Sequence, residues 1–249
     1  MIIRWTYVFA DRPTAHLAEA RAFWTEVTGT RLSEPRGERG EFVTLSADGA
    51  DPCVKLQGVL EGDGGAHVDL CVEDVRELVG TARGLGADLL ADHGDWAVLR
   101  SPAGLPWCAV PWQGETVRPP VMEGSRLDQV CLDIPPSAYD TERAFWAELT
   151  GWQQLTGSRP EFQVLKPPPG MPLRILLQRL DTERPASAHL DLACADRAFV
   201  RARHERLGAD MAGQGPHWTV MRDPAGGTYC LTDRDPETGG LPGGGVPAA

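Results

Sequence analysis

The sequence predicts an α+β fold of four βαβββ modules, arranged as two tandem halves. Three observations carry this: an internal repeat at one fixed offset, strand and helix patterns that alternate within each half, and a Pro/Gly-rich joint between the halves. Arg21-Ala22-Phe23-Trp24-Thr25-Glu26-Val27-Thr28-Gly29 matches Arg143-Ala144-Phe145-Trp146-Ala147-Glu148-Leu149-Thr150-Gly151 at seven of nine positions, displaced by 122 residues. Ala66-His67-Val68-Asp69-Leu70 returns at the same offset as Ala188-His189-Leu190-Asp191-Leu192. So do Leu85-Gly86-Ala87-Asp88 (as Leu207 to Asp210), Trp96 (as Trp218), Pro102-Ala103-Gly104 (as Pro224 to Gly226) and Cys108 (as Cys230). The chain therefore divides into residues 1–110, a linker over 111–126 with Pro119-Pro120 inside it, 127–235, and a Gly-rich tail over 236–249 expected to be disordered.

Each element has a local reason. Arg126 to Ile134 alternates with period two, as a half-buried strand does, and Pro135-Pro136 ends it. Ser137 to Leu149 follows as a helix, with Phe145, Trp146 and Leu149 at helical spacing and Gly151 as its C-cap. Phe162 to Leu165 and Leu173 to Leu180 read as strands. The pattern then restarts with strand Ala188 to Cys194, helix Arg197 to Leu207, strand Trp218 to Arg222, a turn at Asp223-Pro224-Ala225-Gly226-Gly227, and strand Thr228 to Thr232. The modules are expected to build curved antiparallel sheets around a groove. Phe23-Trp24 and Phe145-Trp146 are expected to pack on them.

Composition narrows the function. The 249 residues carry a net charge of −11, against a phosphate-neutralising nucleic-acid binder, which needs positive surface. No apolar run reaches the roughly 18 residues of a transmembrane helix, and the first residues lack a signal-peptide pattern. The 6 cysteines are scattered, with no CxxC pair, and read as reduced thiols of a cytoplasmic protein. The expected partner is a small molecule, with no nucleic acid and no membrane. The chain is expected to act as a monomer with pseudo-dimeric halves or as a homodimer.

Taken together, a first strand ending in Asp, Phe-Trp and Thr-Gly on the first helix, Ala-His-X-Asp-Leu, Leu-Gly-Ala and Asp-Pro-Ala-Gly resemble the vicinal oxygen chelate superfamily. The resemblance is to its glyoxalase-like and bleomycin-resistance-type domains and covers both halves. It implies ligand clefts formed by pairs of modules. In metal-dependent relatives the ligands come from the first and last strand of each module. Carried over, the first-strand positions are Tyr7, His67, Gln129 and His189, and the last-strand positions are Gln57, Cys108, Gln178 and Cys230. The family usually has Glu at the latter, and none of these four is a carboxylate. Whether modules pair within a half or across the halves, each composite site keeps one His.

The expectation is thus a small-molecule-binding protein with no standard metal centre. The alternative is a glyoxalase- or dioxygenase-type enzyme, a lyase, isomerase or oxidoreductase, using an atypical divalent metal (Mn, Fe, Ni or Zn) or His/Asp acid–base chemistry. His67 with Asp69, and His189 with Asp191, are the acid–base candidates, because a carboxylate beside an imidazole fixes its tautomer and favours its charged form. The other substrate-binding candidates are Tyr7, Gln57, Trp96, Cys108, Gln129, Gln178, Trp218 and Cys230.

Overall fold

A computed structural model of the chain describes residues 2–157 and 159–241. The first half runs β1 (Ile3–Pro13), α1 (Leu17–Thr28), β2 (Arg31–Leu32), β3 (Phe42–Ser46), β4 (Val54–Val59), β5 (Gly65–Val72), α2 (Val75–Gly84), β6 (Asp88–Asp92), β7 (Ala97–Arg100) and β8 (Pro106–Pro111). The second repeats it as β9 (Ser125–Ile134), α3 (Tyr139–Thr150), β10 (Gln153–Thr156), β11 (Phe162–Lys166), β12 (Arg174–Arg179), β13 (Ser187–Cys194), α4 (Arg197–Arg206), β14 (Asp210–Gln214), β15 (Trp218–Arg222) and β16 (Thr228–Thr232).

The helices begin and end where the sequence places their caps. Gly29 and Gly151 close α1 and α3 in the left-handed conformation, at φ of 60° and 63°. Asp74 and Asp196 cap α2 and α4 by accepting from the amides of Glu77 and Phe199, at 2.9 and 3.0 Å. No helix among the described residues is long and apolar enough to cross a membrane.

Each half is one eight-stranded sheet, in the order β2-β3-β4-β1-β5-β8-β7-β6 and its copy β10-β11-β12-β9-β13-β16-β15-β14. Modules therefore pair within a half, through the antiparallel contact of β1 with β5 and of β9 with β13. The sheets are mixed, which corrects the antiparallel expectation: β4 runs parallel to β1 and β8 parallel to β5. The reason is topological. The helix returns the chain before three consecutive antiparallel strands begin, so the last of them points the same way as the first strand. Strands β10 and β14, which carry no alternating apolar face, are mostly exposed edges.

The helices, by contrast, pack across the halves. Trp24 on α1 sits 5.3 Å from Tyr229 of β16, and Phe23 lies 5.6 Å from His204 of α4. Reciprocally, Trp146 and Phe145 of α3 sit 5.8 and 6.4 Å from Trp107 of β8. Both first-helix aromatic pairs are buried as the sequence indicates, yet part of what buries them belongs to the other half.

Two matched turns complete this interface. In the second half Asp223 opens its Pro-Ala-Gly turn and accepts from Trp24 Nε1 (2.9 Å) and Arg12 Nε (2.7 Å). In the first half Ser101 stands at that position. The carboxylate there comes instead from Glu142 of α3, which accepts from the Ala103 amide at 2.8 Å and Trp146 Nε1 at 2.7 Å. Glu142 is fully buried, and burial raises its pKa against the hydrogen bonds from Ser101, Ala103 and Trp146. A carboxyl with a raised folded pKa stabilises most below its unfolded value of 4.5 and loses that contribution as pH rises through the folded value. Urea unfolding from pH 4.5 to 8 should therefore show wild-type stability falling with rising pH relative to Glu142→Gln. Parallel curves for the two proteins would contradict this account.

Residues 236–241, assigned to a disordered tail by composition, instead form a turn. Asp235 accepts from the amides of Glu237 and Thr238 at 2.9 and 2.7 Å, and Arg126 donates to the Glu237 carbonyl at 3.1 Å. The rest of that tail, 242–249, lies outside the described residues.

Candidate functional site

Period-two alternation puts every second residue of a strand on one face. On the concave face of the second sheet this gathers Gln129, Cys131 and Asp133 from β9, Arg174, Leu176 and Gln178 from β12, His189 and Asp191 from β13, and Cys230 from β16. They line a cavity of about 730 Å³. Phe162, Trp218 and Val220 form part of its wall, and Gly64 and Gly65 from the first half reach its rim.

The floor centres on His189. Its Nδ1 lies 3.0 Å from Asp133 and its Nε2 3.4 Å from Asp191 Oδ1. Burial alone disfavours a charged imidazole, but the Asp133 carboxylate hydrogen-bonded to Nδ1 favours it, and the His189 pKa stands above its ordinary value. Burial likewise works against a charged Asp191, yet hydrogen bonding and attraction from His189, with Arg234 and Gln129 adding to them, keep its pKa low. Gln129 donates to Asp191 Oδ2 in a short hydrogen bond, and Arg234 pairs with Asp128 while lying 3.9 Å from the same Oδ2. Asp191 Oδ1 is buried with His189 Nε2, at 3.4 Å, as its ion-pair neighbour, and the matched Asp69 Oδ1 is buried in the same way beside His67.

The spacing of that oxygen from His189 tests whether a metal suits this floor. His189, Asp191 and Cys230 each offer a ligand atom, all within 4.8 Å of one another. Two ligands on arms of about 2.05 Å at a tetrahedral ion lie about 3.3 Å apart, close to the 3.4 Å between Nε2 and Oδ1. Asp133 on Nδ1 is the outer carboxylate that commonly orients a ligating imidazole. Burial raises the Cys230 thiol pKa, and a coordinated ion would take it as thiolate. The donor set fits a borderline divalent cation.

The first half repeats the triad as His67, Asp69 and Cys108, with Asp11 2.7 Å from His67 Nδ1. Its surroundings differ. Phe9 stacks on His67 at 4.4 Å, where the second half has Cys131. Lys55, where the second half has Leu176, sets its ammonium 3.6 Å above the Tyr7 ring and 3.5 Å from Asp69 Oδ2. The chain thus supplies its own cation beside Asp69, and the Phe9 ring covers one face of His67.

The remaining sequence candidates fall unevenly. Gln129, Gln178, Trp218 and Cys230 line the cavity with His189 and Asp191. Tyr7 is buried, its hydroxyl bonded to Glu115 of the linker, and burial raises its pKa. Gln57 is half-buried in register with Asp11 and Phe42. Cys108 is buried beside Asp69 with a raised pKa. Trp96 is exposed and stacks on His93 at 4.0 Å, away from either floor.

Sequence reasoning did not single out Asp11, Asp133, Cys131, Lys55, Arg174 or Arg234. The two Asp residues share the 122-residue offset and sit where each first strand ends. The two Arg residues have no cation at the matching positions, which are Cys53 by strand register and Trp112 at the 122-residue offset.

Paired βαβββ modules with polar donors on a concave floor define a protein of the vicinal oxygen chelate class. The glyoxalase-like domain family matches the chain over residues 7–110 and again over 129–232, and the chain belongs to that family. Among solved structures it is similar to 2,2',3-trihydroxybiphenyl 1,2-dioxygenase from the dibenzofuran-degrading Sphingomonas wittichii strain RW1, at 14% identity and a TM-score of 0.64 over 93% of this chain and 90% of that one. It is also similar to a catechol 2,3-dioxygenase, at 11% identity and a TM-score of 0.61 over 93% and 88%. A third is a variant of homoprotocatechuate 2,3-dioxygenase from B. fuscum in complex with HPCA, at 15% and 0.62 over 94% and 72%. At these identities the likeness establishes the fold alone. Among curated proteins nothing matches the chain.

Proposed function

We propose that the chain is a small-molecule enzyme of the glyoxalase or ring-cleavage type whose working cleft lies in the second half. The observation that carries this is the cavity of about 730 Å³ standing over His189, Asp191 and Cys230, whose ligand atoms lie within 4.8 Å of one another. The first half acts as support, with Lys55 beside Asp69 and Phe9 stacked on His67. His189, Asp191 and Cys230 would hold a divalent cation of the Mn, Fe, Ni or Zn kind. When bound, that ion supplies Lewis-acid polarisation of ligand oxygens. Asp133 fixes the His189 ring, Gln129 and Arg234 fix Asp191, and Phe162 with Trp218 gives the ligand an apolar wall. Six buried free thiols support a reducing, cytoplasmic setting.

A second reading, a binding module that sequesters its ligand without a metal, is favoured by one observation. Gln129 and Arg234 already satisfy Asp191 Oδ2. Elemental analysis of gently purified protein separates the two. The enzyme reading expects about one divalent ion per chain, lost in His189→Ala and retained in His67→Ala. Metal content near zero that reloading with Mn, Fe, Ni or Zn does not raise overturns the enzyme reading and leaves the binding module.

A further inference from the structure

The second-half cavity contains a cation that makes no salt bridge among the described residues. Arg174 lines it from β12, and its Nε donates to Gln129 Oε1 at 2.7 Å. Among the described residues that is its one hydrogen bond, and no carboxylate stands within salt-bridge distance. Arg234, the neighbouring cation, is held by Asp128 through two nitrogens. Burial and the Arg234 charge, against weaker attraction from Asp128 and Asp191, pull the Arg174 pKa down to about 10, so it still carries its charge at neutral pH, at an energetic cost that a directly bound anion would relieve.

The internal repeat supplies a control. In the first half, where Phe9 stacks on His67 and Lys55 lies beside Asp69, both guanidiniums are missing, with buried Cys53 and half-buried Trp112 at their positions. The two guanidiniums accompany the second-half cleft.

We infer that the cavity takes a small organic carboxylate with a flat apolar body, its carboxylate on the two terminal nitrogens of Arg174. Guanidinium and carboxylate match in charge and in planar two-point geometry, and Gln129 pins the third nitrogen so that the fork faces the cavity. The body lies against Leu176, Val164 and the edge-to-face pair of Phe162 and Trp218, whose centroids are 5.8 Å apart. Arg174 stands opposite Gln129 and Gln129 opposite Asp191, so two strand spacings, about 10 Å, separate the carboxylate seat from the His189 side of the floor. An acid built on one ring spans that distance. The inference rests on the second-half cleft being the ligand site, and names the class of ligand it takes.

The test titrates wild-type protein with benzoate, 4-hydroxybenzoate and phenylacetate, and with the three matching amides, by isothermal calorimetry, with quenching of total tryptophan fluorescence as a second readout because Trp218 lines the cavity. The acids should bind roughly tenfold or more tighter than the amides, the difference a charge-assisted hydrogen bond makes. Arg174→Met should erase that preference, and Arg174→Lys should retain part of it. Inorganic phosphate should not displace benzoate at equal concentration. Equal binding of acid and amide overturns the carboxylate assignment while the cleft reading stands, as does displacement by phosphate. Saturation by none of the six overturns both. Because the acid–amide comparison uses the wild-type chain, misfolding of a variant does not decide the outcome.

Discussion

Arg12→Met should destabilise the fold by about 3–5 kcal/mol, which is the usual result of removing one partner of a buried ion pair. Arg12 and Asp223 are both fully buried, 2.7 Å apart, and belong to different halves. Arg12 also donates to the carbonyls of Asp11 and Gly65, at 2.7 and 2.8 Å, tying the first-half strand ends to the turn that borders the second-half cavity. Methionine fills much of the volume and leaves the Asp223 carboxylate without its cation. For a chain of this size the expected fall in Tm is roughly 6–20 °C, readable by calorimetry. A shift of a degree or two would mean that the amides of Ala225 and Gly227 and the Trp24 indole suffice for Asp223.

Trp146→Ala should cost a similar amount, about 3–5 kcal/mol, through a different mechanism. The indole is fully buried against Trp107 and Phe145, so truncation opens a large void between the halves. It also takes a hydrogen bond from Glu142, which has no cation beside it. Trp146→Phe separates the two effects, because it keeps most of the volume and loses the donor, at about 1–3 kcal/mol. Urea unfolding of the three proteins reads both numbers. Equal losses for Ala and Phe would place the whole effect in the hydrogen bond and none in packing.

Much of the architecture was legible because duplication wrote it twice. A match such as Phe23-Trp24 with Phe145-Trp146 fixes the module boundaries whatever its partners are. The strand at Arg126 to Ile134 and the cap at Gly151 were legible as local signals. The alternation indicated a half-buried strand, whereas all of β9 is buried because its polar face forms the cavity floor and neighbouring strands cover both sides. Strands β10 and β14 were not legible, since a short exposed edge strand has no apolar face to betray it. The paired His and Asp of each half were legible as candidates. Lys55 and Arg174 were not, because a lone cation on an alternating strand reads as an ordinary solvated residue.

By itself, the sequence determined that this chain holds two copies of one α+β unit, and that each copy carries a His-X-Asp pair on a strand and a Cys on its last strand. Only the tertiary structure decided that sheets pair within a half while helices pack across halves. It alone showed that Phe9 and Lys55 stand at the His67 floor of one copy while Cys131 and Leu176 leave a cavity lined by Arg174 over the other. The physical reason is that strand and helix periods are set by neighbours along the chain. Which side chains meet over a concave sheet depends instead on register between strands far apart in sequence, where a single exchange of Leu176 for Lys55 changes the charge of a cleft without altering any local pattern.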